Sequence, residues 1–124
     1  MSNRVHFIHH NGVDILYIDW SSAASWEIRE AMHEAKEIIA AQPRASVRTL
    51  TNVTDVHMDN AATEMLRDYM AHNKPYVLAG AVVGLNDLKM IAFNLFNRVT
   101  GRSLRAMDNL DDAKDWLAAA RGRK

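Results

Sequence analysis

The chain has 124 residues, 15 Lys and Arg against 15 Asp and Glu, 6 His, no Cys, and 48% hydrophobic residues. This is one domain's worth of chain with the apolar content of a folded core, which argues against disorder. No Cys means no disulfide, thiolate metal site, iron–sulfur cluster or Cys nucleophile, and zero net charge lacks the basic footprint of a general nucleic-acid binder.

The opening reads as a hairpin. Arg4 to His10 and Val13 to Trp20 are strand-like runs, and Asn11-Gly12 between them tolerates the positive φ of a tight turn. In the second run Val13, Ile15 and Tyr17 share one face and Leu16, Ile18 and Trp20 the other, as in a strand covered on both sides. Ser22 and Ser25 are candidate N-caps for a helix from Trp26 to Ala41. Its buried stripe is Ile28, Ala31, Met32, Ala35, Ile38 and Ile39, and Gln42-Pro43 ends it. Ser46 to Thr54 is a third strand. Asp59 or Asn60 caps a second helix with the stripe Ala61, Ala62, Met65, Leu66, Tyr69 and Met70, stopped at Asn73-Lys74-Pro75. Tyr76 to Gly84 is a continuous apolar run, the pattern of a buried parallel strand.

Asn86 caps a third helix, 87–100, whose stripe reads Leu88, Ile91, Ala92, Leu95, Phe96 and Val99, with Gly101 beyond its end. Ser103 to Met107 is a short last strand. Asp108 or Asn109 caps a final helix burying Leu110, Ala113, Trp116, Leu117 and Ala120. The order β-β-α-β-α-β-α-β-α predicts an α/β fold: one five-stranded, mixed but mainly parallel sheet with four helices. Residues 1–120 form the domain. Arg121-Gly122-Arg123-Lys124 is a basic tail that balances a formal charge of −3 in the rest.

The element order resembles the STAS (anti-sigma-factor antagonist) fold. The chain is similar over about residues 4–119 to the STAS-like small bacterial domains grouped with those antagonists and with the CRAL-TRIO lipid-binding fold. The segments that carry the resemblance are AGAVVGLNDLKMIAFNLFNRVTG (79–101) and SLRAMDNLDDAKDWL (103–117), ending in Ala113-Lys114-Asp115-Trp116-Leu117. Antagonists of this kind present an Asp-Ser-Ser-Gly-type turn whose Ser is phosphorylated. Here Asp59-Asn60-Ala61-Ala62 stands in that place and has no hydroxyl, so the resemblance implies a regulatory module without the usual phosphoserine switch. Thr54 and Thr63 are the nearby hydroxyls, and capping is the ordinary role for such groups.

Motifs with chemistry are few. His9 and His10 are adjacent on a strand and point to opposite faces. His6 and His10 share a face, and His57 and His72 meet only through tertiary contact. Asp19, Asp55, Asp59 and Asn86 fall at carboxyl ends of strands, where open α/β sheets bind ligands. Helix capping explains Asp59, Asn60 and Asn86 without a Mg²⁺ site of the receiver kind. Gly80 and Gly84 lack the Gly-Lys-Ser/Thr of a phosphate loop, and no nucleophile motif surrounds Ser21, Ser22 or Ser25. The expectation is therefore no catalytic residue, no metal and no cofactor, with an Asp/His-based enzyme around Asp55 and His57 as the weakest alternative.

Met90, Phe93, Asn94 and Asn97 lie opposite the stripe of the third helix, and Trp26 lies opposite that of the first. Large apolar residues on an outer face mark a partner or ligand surface. The expected surface is Asp55, His57, Asp59, Asn60, Thr63, Trp26, Met90, Phe93 and Asn97. The leading reading is a non-enzymatic protein-interaction module that contacts a protein partner or itself, a homodimer through helix 87–100 being the specific form. The alternative is a carrier or sensor of a small apolar, lipid-like ligand, to which Met32, Met65, Met70 and Met90 would lend adaptable packing. No nucleic acid is expected as a partner. No apolar run approaches the ~20 residues of a membrane span, and the alternating MSNRVHFIHH lacks a signal peptide's apolar region. A cytoplasmic location is the matching expectation.

Overall fold

The computed structural model describes residues 3–121, so Gly122, Arg123 and Lys124 of the expected basic tail lie outside the described residues. Strands β1 (Val5–His10) and β2 (Val13–Asp19) form the predicted antiparallel hairpin, with Val5 opposite Ile18 and His10 opposite Val13. Asn11 and Gly12 turn the chain at φ of 49° and 85°, the two positive values that a two-residue turn needs. Helix α1 (Ser25–Ala40), β3 (Val47–Asn52), α2 (Asn60–Asn73), β4 (Val77–Val83), α3 (Asp87–Thr100), β5 (Arg105–Met107) and α4 (Leu110–Ala119) follow.

The strands lie side by side in chain order, β1-β2-β3-β4-β5, and every pair after the hairpin is parallel. Each crossover thus moves one strand in the same direction. Right-handed crossovers in one direction stack their helices on one face. Accordingly, Leu16, Ile18, Val47 and Val82 pack with Ile28, Met32, Ile39, Tyr69 and Met70 in one core. Phe93 and Phe96 of α3 also pack against that core. Helix α4 follows the last strand and covers the other face, where Ile15, Leu50, Ala81 and Val83 meet Ala113 and Leu117. The two-faced apolar pattern of β2 is therefore used on both sides.

Three helices start on the expected caps. The side chains of Asp59, Asn86 and Asn109 accept from the amides of Ala62, Lys89 and Asp112, each at 2.8 Å. Helix α1 differs from expectation. Its N-cap is Ala24, whose amide donates to Glu27 Oε1 at 2.9 Å. Ser25 turns instead toward the 57–59 loop, where its hydroxyl accepts from the Asp59 amide at 3.0 Å. The last carbonyls of α4 are held from the sheet: Arg48 of β3 donates to Leu117 O at 2.9 Å and Ala120 O at 3.0 Å.

Helix α3 is the main departure from the sequence reading. Its bounds are those expected, but it is turned over. Leu88 is 77% exposed, Ile91 70%, and Leu95 and Val99 54% each, and none of its residues is buried. Met90, Phe93, Phe96 and Asn97 are half-buried beneath it. Leu88, Ile91, Leu95 and Val99 of the stripe read as core look outward while Phe96 of that stripe packs inward, and Met90, Phe93 and Asn97 of the side read as outer look inward while Asn94 stays exposed. The helix is apolar on both sides, so periodicity alone does not orient it; the aromatic side reaches farther toward the sheet.

Candidate functional site

Beneath α3 the structure leaves a cavity of about 260 Å³. Its floor is the helix-covered face of the sheet, where Ile18, Thr49, Thr51, Val53 and Val82 alternate inward. One wall is α2, through Thr63, Leu66, Tyr69, Met70 and Asn73. The other is α3, through Lys89, Ala92, Phe93 and Phe96. Trp20, Val56, Met58 and Leu85 close the end at the strands' carboxyl termini, and Arg102 and Leu104 approach from the segment between α3 and β5.

The space exists for local reasons. Thr49 and Thr51 take positions on the inner face of β3 that larger apolar residues would fill. Gly80 of β4 has no side chain. A Cβ there would run into the Leu104 side chain and lie 2.9 Å from Thr49 Oγ1, so the bare backbone lets the 102–104 segment approach. Asn97 then clamps that segment to α3: its amide donates to Leu104 O at 3.0 Å and its Oδ1 accepts from Leu104 N at 3.2 Å. The aromatic side chains of α3 bridge from helix to sheet, and a gap remains between them.

Most of the lining is apolar, and its polar groups are few. Tyr69 is buried and hydrogen-bonds Asn73; burial raises its phenol far above the ordinary range. Burial also lowers the Arg102 pKa, against the opposing pull of Tyr69. Arg102 Nη1 donates to Met70 O at 2.9 Å. Trp20 Nε1 is buried with no acceptor, a loss of about 1–3 kcal/mol for such a group.

Of the residues singled out from the sequence, Thr63 and Phe93 line the cavity. Met90 is half-buried, and Asn97 is the clamp just described. Asp55, His57 and Asn60 are exposed at the carboxyl end of the sheet, Asp55 with φ of 53°. Asp59 caps α2 and pairs with Arg29 at 3.2 Å. Trp26 is 58% exposed on α1, away from the cavity lining. The carboxylate rim is not gathered into one site. Asp19 accepts from the Ser21 amide at 2.9 Å, and Asn52 accepts from the Thr54 amide at 3.1 Å, both closing local turns. Among the described residues no three His, Asp or Glu converge on a metal-sized point. His9 pairs with Asp14 and His10 with Asp115. No helix among the described residues is long and apolar enough to cross a membrane.

The residues that sequence reasoning missed are Thr49, Thr51, Gly80 and Arg102. Thr49 and Thr51 carried a signal. They alternate with Val47 and Val53 on a face that is otherwise apolar, and two hydroxyls there leave volume unfilled. Arg102 carried none, since a lone Arg after a helix-ending Gly is ordinary.

No protein-family model matches the chain, and no curated protein or solved structure is significantly similar to it.

Proposed function

We propose that this chain is a binding protein for a small apolar molecule, held between the sheet, α2 and α3. The cavity carries the reading. At about 260 Å³ and partly open to solvent, it has more room than the roughly 150 Å³ enclosed apolar cavity that takes up benzene. Its walls are mostly hydrophobic with a few placed polar groups, as in ligand pockets generally. Helix α3, with no buried residue of its own, is the element with least holding it down and so the natural entry. The STAS-like, lipid-fold resemblance in the sequence accords with this role, and the role is one of binding rather than turnover.

The test is 1-octanol binding by calorimetry, with the thermal midpoint as a second readout. Octanol should bind and raise the midpoint, and Val82→Leu, which narrows the cavity, should weaken it. A protein that neither copurifies with a small molecule in native mass spectra nor responds to octanol refutes the reading.

A second reading, a protein-contact module, is favoured by the outward stripe of Leu88, Ile91, Leu95 and Val99. Here α3 meets a second copy through these residues rather than through Met90 and Phe93. Light scattering decides it: a wild type that is monomeric at high concentration, with Leu95→Asp indistinguishable from it, removes self-association.

A further inference from the structure

We infer that the cavity takes an anionic amphiphile, a monocarboxylate on an alkyl tail of about eight carbons, and that Arg102 anchors the carboxylate. This rests on the cavity reading above and deepens it.

The lining is divided along its length. Thr49, Tyr69, Asn73 and Arg102 gather at the end where the chain leaves α3 for β5. A Cβ on Gly80 would lie 2.9 Å from Thr49 Oγ1 and 3.6 Å from Arg102 Nη2, so these two groups flank one bare patch of backbone. Tyr69 hydrogen-bonds Asn73 and feels the Arg102 charge. The rest of the lining is mainly hydrocarbon and aromatic rings such as Ile18, Val82, Phe93 and Phe96, with Thr51, Thr63, Lys89 and the Trp20 N–H as its polar groups. A polar end and an apolar body call for a ligand built the same way.

The polar end is positive, and no carboxylate is paired with Arg102 among the described residues. A guanidinium has five N–H donors and no acceptor. Arg102 is half-buried, and its side-chain hydrogen bond is to the neutral Met70 carbonyl. Neither the Arg4–Glu27 and Arg29–Asp59 ion pairs nor the His9–Asp14 and His10–Asp115 contacts involve Arg102. Tyr69 stays protonated and supplies no negative charge. Drawing a cation partly out of water without an anion is unfavourable. A ligand carboxylate cures that, because it matches the guanidinium fork with two parallel hydrogen bonds.

Charge and size narrow the class. Lys89, the other cation of the lining, sits in the first turn of α3, about 15 Å along the helix from its far end at 1.5 Å per residue. Arg102 is thus the one cation lining the polar end, with Lys74 Nζ beside Gly101 outside the lining, which suits a singly charged head. At about 260 Å³ the space exceeds the roughly 150 Å³ that takes up benzene, which suits a chain a little larger than six carbons, such as octanoate.

Calorimetry with octanoate, 1-octanol and octyl phosphate tests this on the full chain at neutral pH. Wild type should bind octanoate at least tenfold more tightly than octanol, and octyl phosphate no more tightly than octanoate. Arg102→Gln should bring octanoate down to parity with octanol while octanol binding changes less than threefold, which also shows that the variant keeps its cavity. Arg102→Lys should retain part of the preference. Equal binding of octanoate and octanol by wild type, or a preference that survives in Arg102→Gln, overturns the anchor and leaves the cavity reading standing. Tighter octyl phosphate overturns the carboxylate. Binding of none of the three overturns both readings. If Arg102→Gln shows no cooperative melt, the wild-type ratio and Arg102→Lys still decide.

Discussion

The orientation of α3 decides whether the cavity has a wall, and two alanine substitutions measure it. Ile91 is 70% exposed, so roughly a third of its side chain is out of water. Complete burial of an Ile is worth about 1.5–3 kcal/mol, which makes the buried part about 0.5–0.9 kcal/mol. Ala is also the better helix former by about 0.4 kcal/mol. Ile91→Ala should therefore cost less than about 1 kcal/mol. Phe93 is half-buried against the cavity; a fully buried Phe→Ala costs about 3–5 kcal/mol, so Phe93→Ala should cost about 2. Had the outward stripe been core, the ranking would reverse, with Ile91→Ala at about 2–5 kcal/mol.

Urea unfolding followed by far-ultraviolet circular dichroism reads both values from the midpoints at constant slope. Repeating it at two protein concentrations separates self-association, because a dimer makes the cost of Ile91→Ala grow with concentration. A cost above about 2 kcal/mol for Ile91→Ala at low concentration, with less than about 1 for Phe93→Ala, refutes the orientation and removes the cavity's outer wall.

Three further outcomes are expected. Gly84 has φ of 95°, and a Cβ there would fall 2.8 Å from Thr54 Cα; Gly84→Ala should cost at least about 1–3 kcal/mol of strain and lower the melting midpoint by roughly 5–10 °C. Arg48→Met leaves the Leu117 and Ala120 carbonyls without their donor; it should cost about 2 kcal/mol and speed hydrogen exchange in α4 more than in α1. Tyr69 is held protonated by burial, whereas an unfolded Tyr ionises near pH 10. The unfolded chain thus binds fewer protons above that pH, so stability is fully present below it and falls as pH rises. Melting curves of Tyr69→Phe should show a shallower loss above pH about 10; an unchanged slope contradicts the assignment.

The element order and most bounds were legible because each rests on short-range physics. Asn11-Gly12 demands a turn through its backbone freedom. Asp59, Asn86 and Asn109 satisfy amides three residues on. The Ile28, Met32 and Ile39 stripe has only one apolar side to bury. The first cap differs because Ser22 and Ser25 are both chemically suitable, yet the helix starts after Ala24 without a side-chain cap and Glu27 reaches back only to the Ala24 amide.

The candidate site was less legible. Thr63 and Phe93 were singled out and line the cavity, while Asp55, His57 and Trp26 were singled out and stand apart from it. Their placement depends on which strands and helices become neighbours.

The sequence by itself determined the alternation of strands and helices, the antiparallel hairpin and the double-sided burial of β2, since period and turn chemistry are local. Only the tertiary structure decided the strand order, the segregation of α4 from α1–α3, and the turning of α3. A helix apolar on two sides has no preferred face until a sheet is present to meet it. In the fold, Phe93 and Phe96 are the side chains of α3 that reach the core, and Leu88, Ile91 and Leu95 are left outside. The cavity follows from the same choice: Phe93 and Phe96 span a distance that Thr49, Thr51 and Gly80 do not fill.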